Sequence, residues 1–205
     1  MVNTSPNRNS CTLETLVSVN QKFNLIGEIL EFGTCTCQSA IQLATQFSDK
    51  TIFTIDHFQG LEKSNKPLPK SSDWREGSFA LGAWNANHPV FPKTIEEAKQ
   101  KLSSKPNINL IVSDIHKLTE PRNYNIVKIA ICNIDVDIYE PTVSSLEFLT
   151  KTEWSEVFIR FDDWHGGDQQ YDAHERLAFT EWITKYGYEY EVVYGGVHGG
   201  AIIKR

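Results

Sequence analysis

Residues 126–134 read Ile-Val-Lys-Ile-Ala-Ile-Cys-Asn-Ile, almost continuously apolar, and run straight into Asp135-Val-Asp137. A segment this short does not span a bilayer, which takes about 20 apolar residues. Its β-branched content and abrupt acidic end favour a strand buried on both faces. Such a strand needs helices on each side of its sheet. Shorter strand-like runs occupy residues 27–32, 51–55, 108–112 and 157–161, and two late ones residues 188–194 and 200–204. Between them, helical spacing of apolar residues marks 13–23, 39–47 and 173–186. The alternation predicts an α/β fold, a doubly wound and mostly parallel seven-stranded sheet. One stretch breaks the rhythm. Residues 57–106, rich in Lys, Pro, Ser, Asn and Trp, far exceed an ordinary α/β connection and read as a lid or substrate insertion after the second strand, with a helix near 96–102.

The chain has 205 residues, of which 40% are apolar. It therefore has the makings of one packed domain, residues 25–205, preceded by a tail and helix over 1–24. A net charge of −6 argues against general binding to phosphate backbones or anionic membranes. The polar opening lacks the apolar core of a secretory signal, so a cytoplasmic location is expected. The expected partner is a small hydroxylated molecule, without nucleic acid or membrane; association with a second copy is left open. Four cysteines are too few for a disulfide scaffold. Cys35 and Cys37 lack a second ligand pair at zinc spacing and read as small residues in a tight turn.

In open parallel sheets, ligands sit beyond the carboxyl ends of the strands. The first strand ends Glu31-Phe-Gly33, where glycine permits a sharp turn, and the second ends in Asp56, a residue suited to a ribose diol. A strand-to-helix turn and a helix cap are the plainer readings of these two. The glycine pattern does not match a nicotinamide fingerprint, because Cys35 stands at its second glycine. The fourth strand ends in Asp135 and Asp137, and the fifth in Asp162-Asp163-Trp-His165. Neighbouring strand ends lie about 5 Å apart, so these acids converge. Like charges so close raise one another's pKa unless a cation compensates, and a hard divalent ion such as Mg²⁺ suits oxygen ligands. Capping of the next helix would account for Asp162 and Asp163 but not for the Asp135–Asp137 pair.

Taken in order, Glu31-Phe-Gly33, Ile55-Asp-His-Phe-Gln-Gly-Leu61, Trp74-Arg-Glu-Gly-Ser-Phe79, Asp135-Val-Asp-Ile-Tyr139, Asp162-Asp-Trp164 and His174-Glu-Arg-Leu-Ala-Phe179 resemble the class I S-adenosylmethionine-dependent methyltransferases. More narrowly they resemble the macrocin O-methyltransferase (TylF-like) family, over roughly residues 25–204. The resemblance implies a Rossmann-like methyltransferase fold and methyl transfer to a hydroxyl of a sugar or polyhydroxylated natural product. It implies that Glu31, Gly33, Thr34 and Ser39 line the methionine end of S-adenosylmethionine, that Asp56 and Phe58 serve the ribose, and that Asp114 and Ile115 flank the adenine. Asp135, Asp162 and Asp163 would hold Mg²⁺ or another divalent cation, with Asp137 as general base and His165 as its competitor. Cys37 departs from a usual glycine, His57 from a usual serine, and Asn133 from a common histidine.

Two other readings remain. A D-x-D strand end also binds metal in nucleotide-sugar glycosyltransferases, although Lys and Arg are sparse around Asp135–Asp137. A non-catalytic S-adenosylmethionine-binding protein is the other. Trp74, Trp84 and Phe91 either stack on the acceptor or fasten the insertion to the core.

Overall fold

A computed structural model describes residues 9–68, 74–82, 91–165 and 173–205. Its strands are β1 (Glu28–Phe32), β2 (Ile52–Asp56), β3 (Ile108–Val112), β4 (Ile129–Ile134), β5 (Glu156–Phe161), β6 (Glu189–Gly195) and β7 (Gly199–Lys204). They form one sheet in the order β3-β2-β1-β4-β5-β7-β6. The first five run parallel, while β7 is antiparallel to both β5 and β6. The helices are α1 (Thr15–Phe23), α2 (Gln38–Gln46), α3 (Ile95–Leu102), α4 (Tyr139–Thr150) and α5 (Glu175–Tyr186). Of the expected 126–134 run, only Ile129–Ile134 pairs in the sheet, and all six of its residues are buried.

Because strand side chains alternate in direction, the sheet feeds two cores. Leu30, Phe32, Cys132, Ile134, Ile159 and Phe161 face one, together with α4 and α5. Ile29, Ile131, Phe158 and Ile202 face the other, with α1 and α2. Helix α4 is the element the sequence reading did not anticipate. Its sequence carries Pro, Val, Thr and two Ser, all weak helix formers. Pro141 stands in the first turn, where its missing N–H costs little. Burial of Leu146, Phe148 and Leu149 supplies what propensity lacks. No described helix is long and apolar enough to cross a membrane.

The sheet order reverses direction between β1 and β4. There the ladder continues past the strands, with Asp135 N–H donating to the Phe32 carbonyl at 2.9 Å and Asp162 N–H to that of Ile134 at 3.0 Å. Gly33, at φ +81°, turns the chain where a Cβ would lie 1.8 Å from the Asp135 carbonyl oxygen. Only glycine allows so close a crossing of these two strand ends.

Candidate active site at the strand carboxyl ends

A cavity of about 540 Å³ opens at this crossover. Gly33, Thr34, Ser39, Asp56, Asp114 and Ile115 line one part of it, and Asp135, Asp137, Asp162 and Asp163 another. Three expected site residues do not line it. Phe58 packs beneath α2 and α3 with Cys37, Ala40, Ala98 and Leu102. Glu31 is fully buried under the floor, accepting from the Thr54 hydroxyl at 2.6 Å and the Asn133 amide at 3.1 Å. His165 turns its Nε2 toward the Gly195 carbonyl at 3.2 Å.

The first part of the cavity is built on backbone. Between β1 and α2, Cys35 (φ +34°) and Cys37 (φ +65°) adopt the left-handed conformation that glycine takes most easily. The resulting loop points its amides at Asp56. Oδ2 accepts from Thr34 N–H and Cys35 N–H, each at 2.9 Å, and Oδ1 from Phe58 N–H at 2.6 Å. Burial opposes ionisation, but the His57 contact and these amides outweigh it and hold the Asp56 pKa below the usual carboxylate range. Asp56 is thus a staple for the turn as well as a cavity wall. A carboxylate offers about four acceptor sites, and the backbone amides engage three of those on Asp56. Burial pushes the Cys35 and Cys37 thiols up, which leaves both protonated at neutral pH.

The second part is built on carboxylates. Asp135, Asp162 and Asp163 present ligand atoms that all lie within 4.8 Å of one another. Asp137, at φ +62°, hydrogen-bonds Asp163. Burial and then the neighbouring acids raise Asp135 and Asp137 well above the ordinary range. Burial and the Asp162 charge push Asp163 up to about 6. Asp162 is also desolvated, yet His198 and Arg160 hold it down to about 2. His198 Nδ1 reaches the Asp162 carbonyl at 2.5 Å and its carboxylate at 3.2 Å, and Arg160 pairs with the same carboxylate.

Sequence reasoning gave no role to Arg160, His198 or Glu175. Glu175, fully buried at the start of α5, accepts from Asp163 N–H at 2.9 Å and so fixes the turn after β5. The available signal was an arginine inside the apolar strand Glu-Val-Phe-Ile-Arg-Phe, a position that requires partners. His198 sits in the hairpin between β6 and β7, and its ring serves Asp162.

From the insertion, Gly60, Leu61, Glu62, Phe79 and Phe91 also line the cavity. Ser64 Oγ and Asn65 N–H donate to Glu140 at 2.8 and 2.7 Å, and His174 Nε2 meets the Pro67 carbonyl at 2.9 Å. His116 bridges Glu62 and Ser144, both at 2.7 Å. Trp74 packs edge-on against His174 rather than into the cavity, whereas Trp84 lies outside the described residues.

No family model and no curated protein sequence matches the chain. Solved structures do. The O-methyltransferase NovP superposes with a TM-score of 0.61 at 18% identity, over 94% of this chain and 77% of its own. The calicheamicin methyltransferase CalS11 superposes with a TM-score of 0.62 at 20% identity, over 94% and 77%. A putative caffeoyl-CoA O-methyltransferase from Staphylococcus aureus gives 0.58 at 18%, over 98% and 86%. The seven-stranded sheet of this chain therefore has the Rossmann-like methyltransferase fold.

Proposed function

We propose that the protein is a metal-dependent O-methyltransferase that moves a methyl group from S-adenosylmethionine to a hydroxyl of a sugar or polyhydroxylated small molecule of natural-product type. The observation that carries this reading is the convergence of Asp135, Asp162 and Asp163 beside the Gly33 turn, in one cavity at the crossover of the sheet. The donor set suits a hard divalent cation. Its carboxylate oxygens are close together, and burial and then the neighbouring Asp162 charge push two of the three acids toward protonation. The fold shared with NovP and CalS11, and the residue order that resembles the macrocin O-methyltransferases, support the same activity. The described cavity lining contains neither Lys nor Arg, which disfavours a glycosyltransferase diphosphate site.

In this reading Gly33, Thr34, Ser39 and Asp56 receive the cofactor, with Asp114 and Ile115 at its adenine end. Asp135, Asp162 and Asp163 hold Mg²⁺, which when bound supplies Lewis acidity that lowers a hydroxyl pKa. Asp137 takes the hydroxyl proton on its carboxylate, and its contact with Asp163 holds it at the edge of the acidic cluster. Crowding raises the Asp137 pKa toward that of a useful base. His165 faces the Gly195 carbonyl instead, so Asp137 is the better-placed group. Insertion residues around 60–68 close the site against water, fastened through Glu140 and His174. Proximity then does most of the work, since the reacting oxygen and carbon need only be held about 3–3.5 Å apart.

The test is methyl transfer to acceptors with vicinal hydroxyls. EDTA abolishes turnover and Mg²⁺ restores it if the reading holds. Full activity after exhaustive chelation would remove the metal, and a preferred acceptor that is not polyhydroxylated would remove the proposed acceptor class.

A further inference from the structure

Four polar residues lie in one register across the middle of the sheet. Thr54 pairs with Glu31, Glu31 with Asn133, and Asn133 with Arg160, on four successive parallel strands. All are buried. The row spans about 14 Å at the usual strand spacing. Every step is a hydrogen bond. Thr54 Oγ1 donates to Glu31 Oε2 at 2.6 Å, Asn133 Nδ2 to Glu31 Oε1 at 3.1 Å, and Arg160 Nη1 to Asn133 Oδ1 at 2.7 Å. Arg160 Nη2 then reaches the Asp162 carboxylate, while its Nε holds the Cys11 carbonyl at 2.7 Å. At the other end, the Ser39 hydroxyl, which lines the cavity, acts on the same Glu31 carboxyl.

An apolar row at these positions would fold without the desolvation cost of a carboxyl, an amide and a guanidinium, and replacing buried ionic sets by apolar side chains is often neutral or stabilising. What the polar row adds is a connection between the two parts of the cavity. We infer that the Glu31–Asn133–Arg160–Asp162 row is a positioning relay that couples cofactor binding to divalent-cation binding. The inference rests on the functional reading above. A ligand seated against Ser39 and Thr34 fixes Glu31. Glu31 fixes the Asn133 amide in the orientation that presents its oxygen to Arg160, and Arg160 then holds Asp162 toward the cluster. Either ligand orders the row for the other, so the second to arrive has less left to order. Asn133 is the central link, because it must donate on one side and accept on the other.

The test is calorimetric and uses S-adenosylhomocysteine, whose neutral sulfur removes direct repulsion between a sulfonium and the cation. Its affinity is measured in EDTA and in saturating Mg²⁺, and the Mg²⁺ affinity with and without it. In the wild type each ligand should tighten the other by the same factor, about 5-fold or more, as linkage requires. Asn133→Leu should bring that factor to within about twofold of one, and Asn133→Ser, too short to reach both partners, should do the same if the leucine variant does not fold. Asn133→His, which retains one donor and one acceptor, should restore it. Coupling that persists in the leucine or serine variant, or that is missing from a wild type binding both ligands, would overturn the relay. A wild type that fails to bind one of the ligands would instead overturn the functional reading beneath it.

Discussion

Asp56 and Asp163 both stand at the carboxyl end of a parallel strand and both line the same cavity, yet their environments act in opposite directions. Asp56 accepts three backbone amides and is held below the ordinary carboxylate range. Asp163 is pushed up to about 6 by burial and by the neighbouring Asp162 charge. The β1–β2 side satisfies its buried charge from its own backbone. The β4–β5 side gathers more negative charge than Arg160 and His198 can offset. On the proposed function, the first side would take an organic molecule with hydroxyls and the second a cation.

The largest expected effect comes from breaking the joint between the two sides. Gly33→Ala places a methyl group against the Asp135 carbonyl in a left-handed backbone. It should cost about 4 kcal/mol or more by denaturant unfolding, at the upper end for single substitutions. A near-neutral result would mean that the two strand ends do not cross so closely.

The contrast in charge should appear as a pH dependence without metal. A raised folded-state pKa contributes stability that is complete below the unfolded value and lost as pH rises through the folded one. Asp163, moved from 3.8 to about 6, is therefore worth about 3 kcal/mol of stability lost between pH 4 and 7. Asp162, lowered to about 2, loses its contribution only as pH falls below 4, outside this window. In EDTA the melting temperature should drop from pH 5 to 7.5, and Mg²⁺ should stabilise more at the upper pH. A metal effect equal at both pH values would contradict the charge argument.

Asp137→Asn keeps a residue that tolerates the left-handed backbone, so it isolates the carboxylate. Turnover should fall at least ~100-fold, at the lower end of general-base contributions, with cation and cofactor affinity retained. His165→Gln should lose less; the reverse order would transfer the role of base. Asp56→Ala should weaken S-adenosylhomocysteine binding by about 1–3 kcal/mol, the cost of removing a charged acceptor.

Much of this site was legible because strand ends are legible. Period-two and continuous apolar runs locate the strands, and parallel topology places whatever follows them on one edge, which is how Asp56, Asp135 and Asp162 came together. Helix α4 was not legible, since its stability lies in contacts of Leu146 and Leu149 rather than in its own propensities. Nor was the part played by Glu31, whose carboxyl turns beneath the cavity toward Thr54 and Asn133. Side-chain direction at a buried position depends on partners on the neighbouring strands, and a linear sequence does not display them. Arg160 is the instructive case. Its presence in an apolar strand announces a buried partner, but only the register with Asn133 says which one.

The most direct test of the whole account is a calorimetric titration of the purified protein with S-adenosylhomocysteine in EDTA. The account predicts one site per chain with micromolar affinity, weakened by Asp56→Ala and tightened by Mg²⁺. The absence of binding to this ligand and to S-adenosylmethionine, with the protein folded, would contradict it.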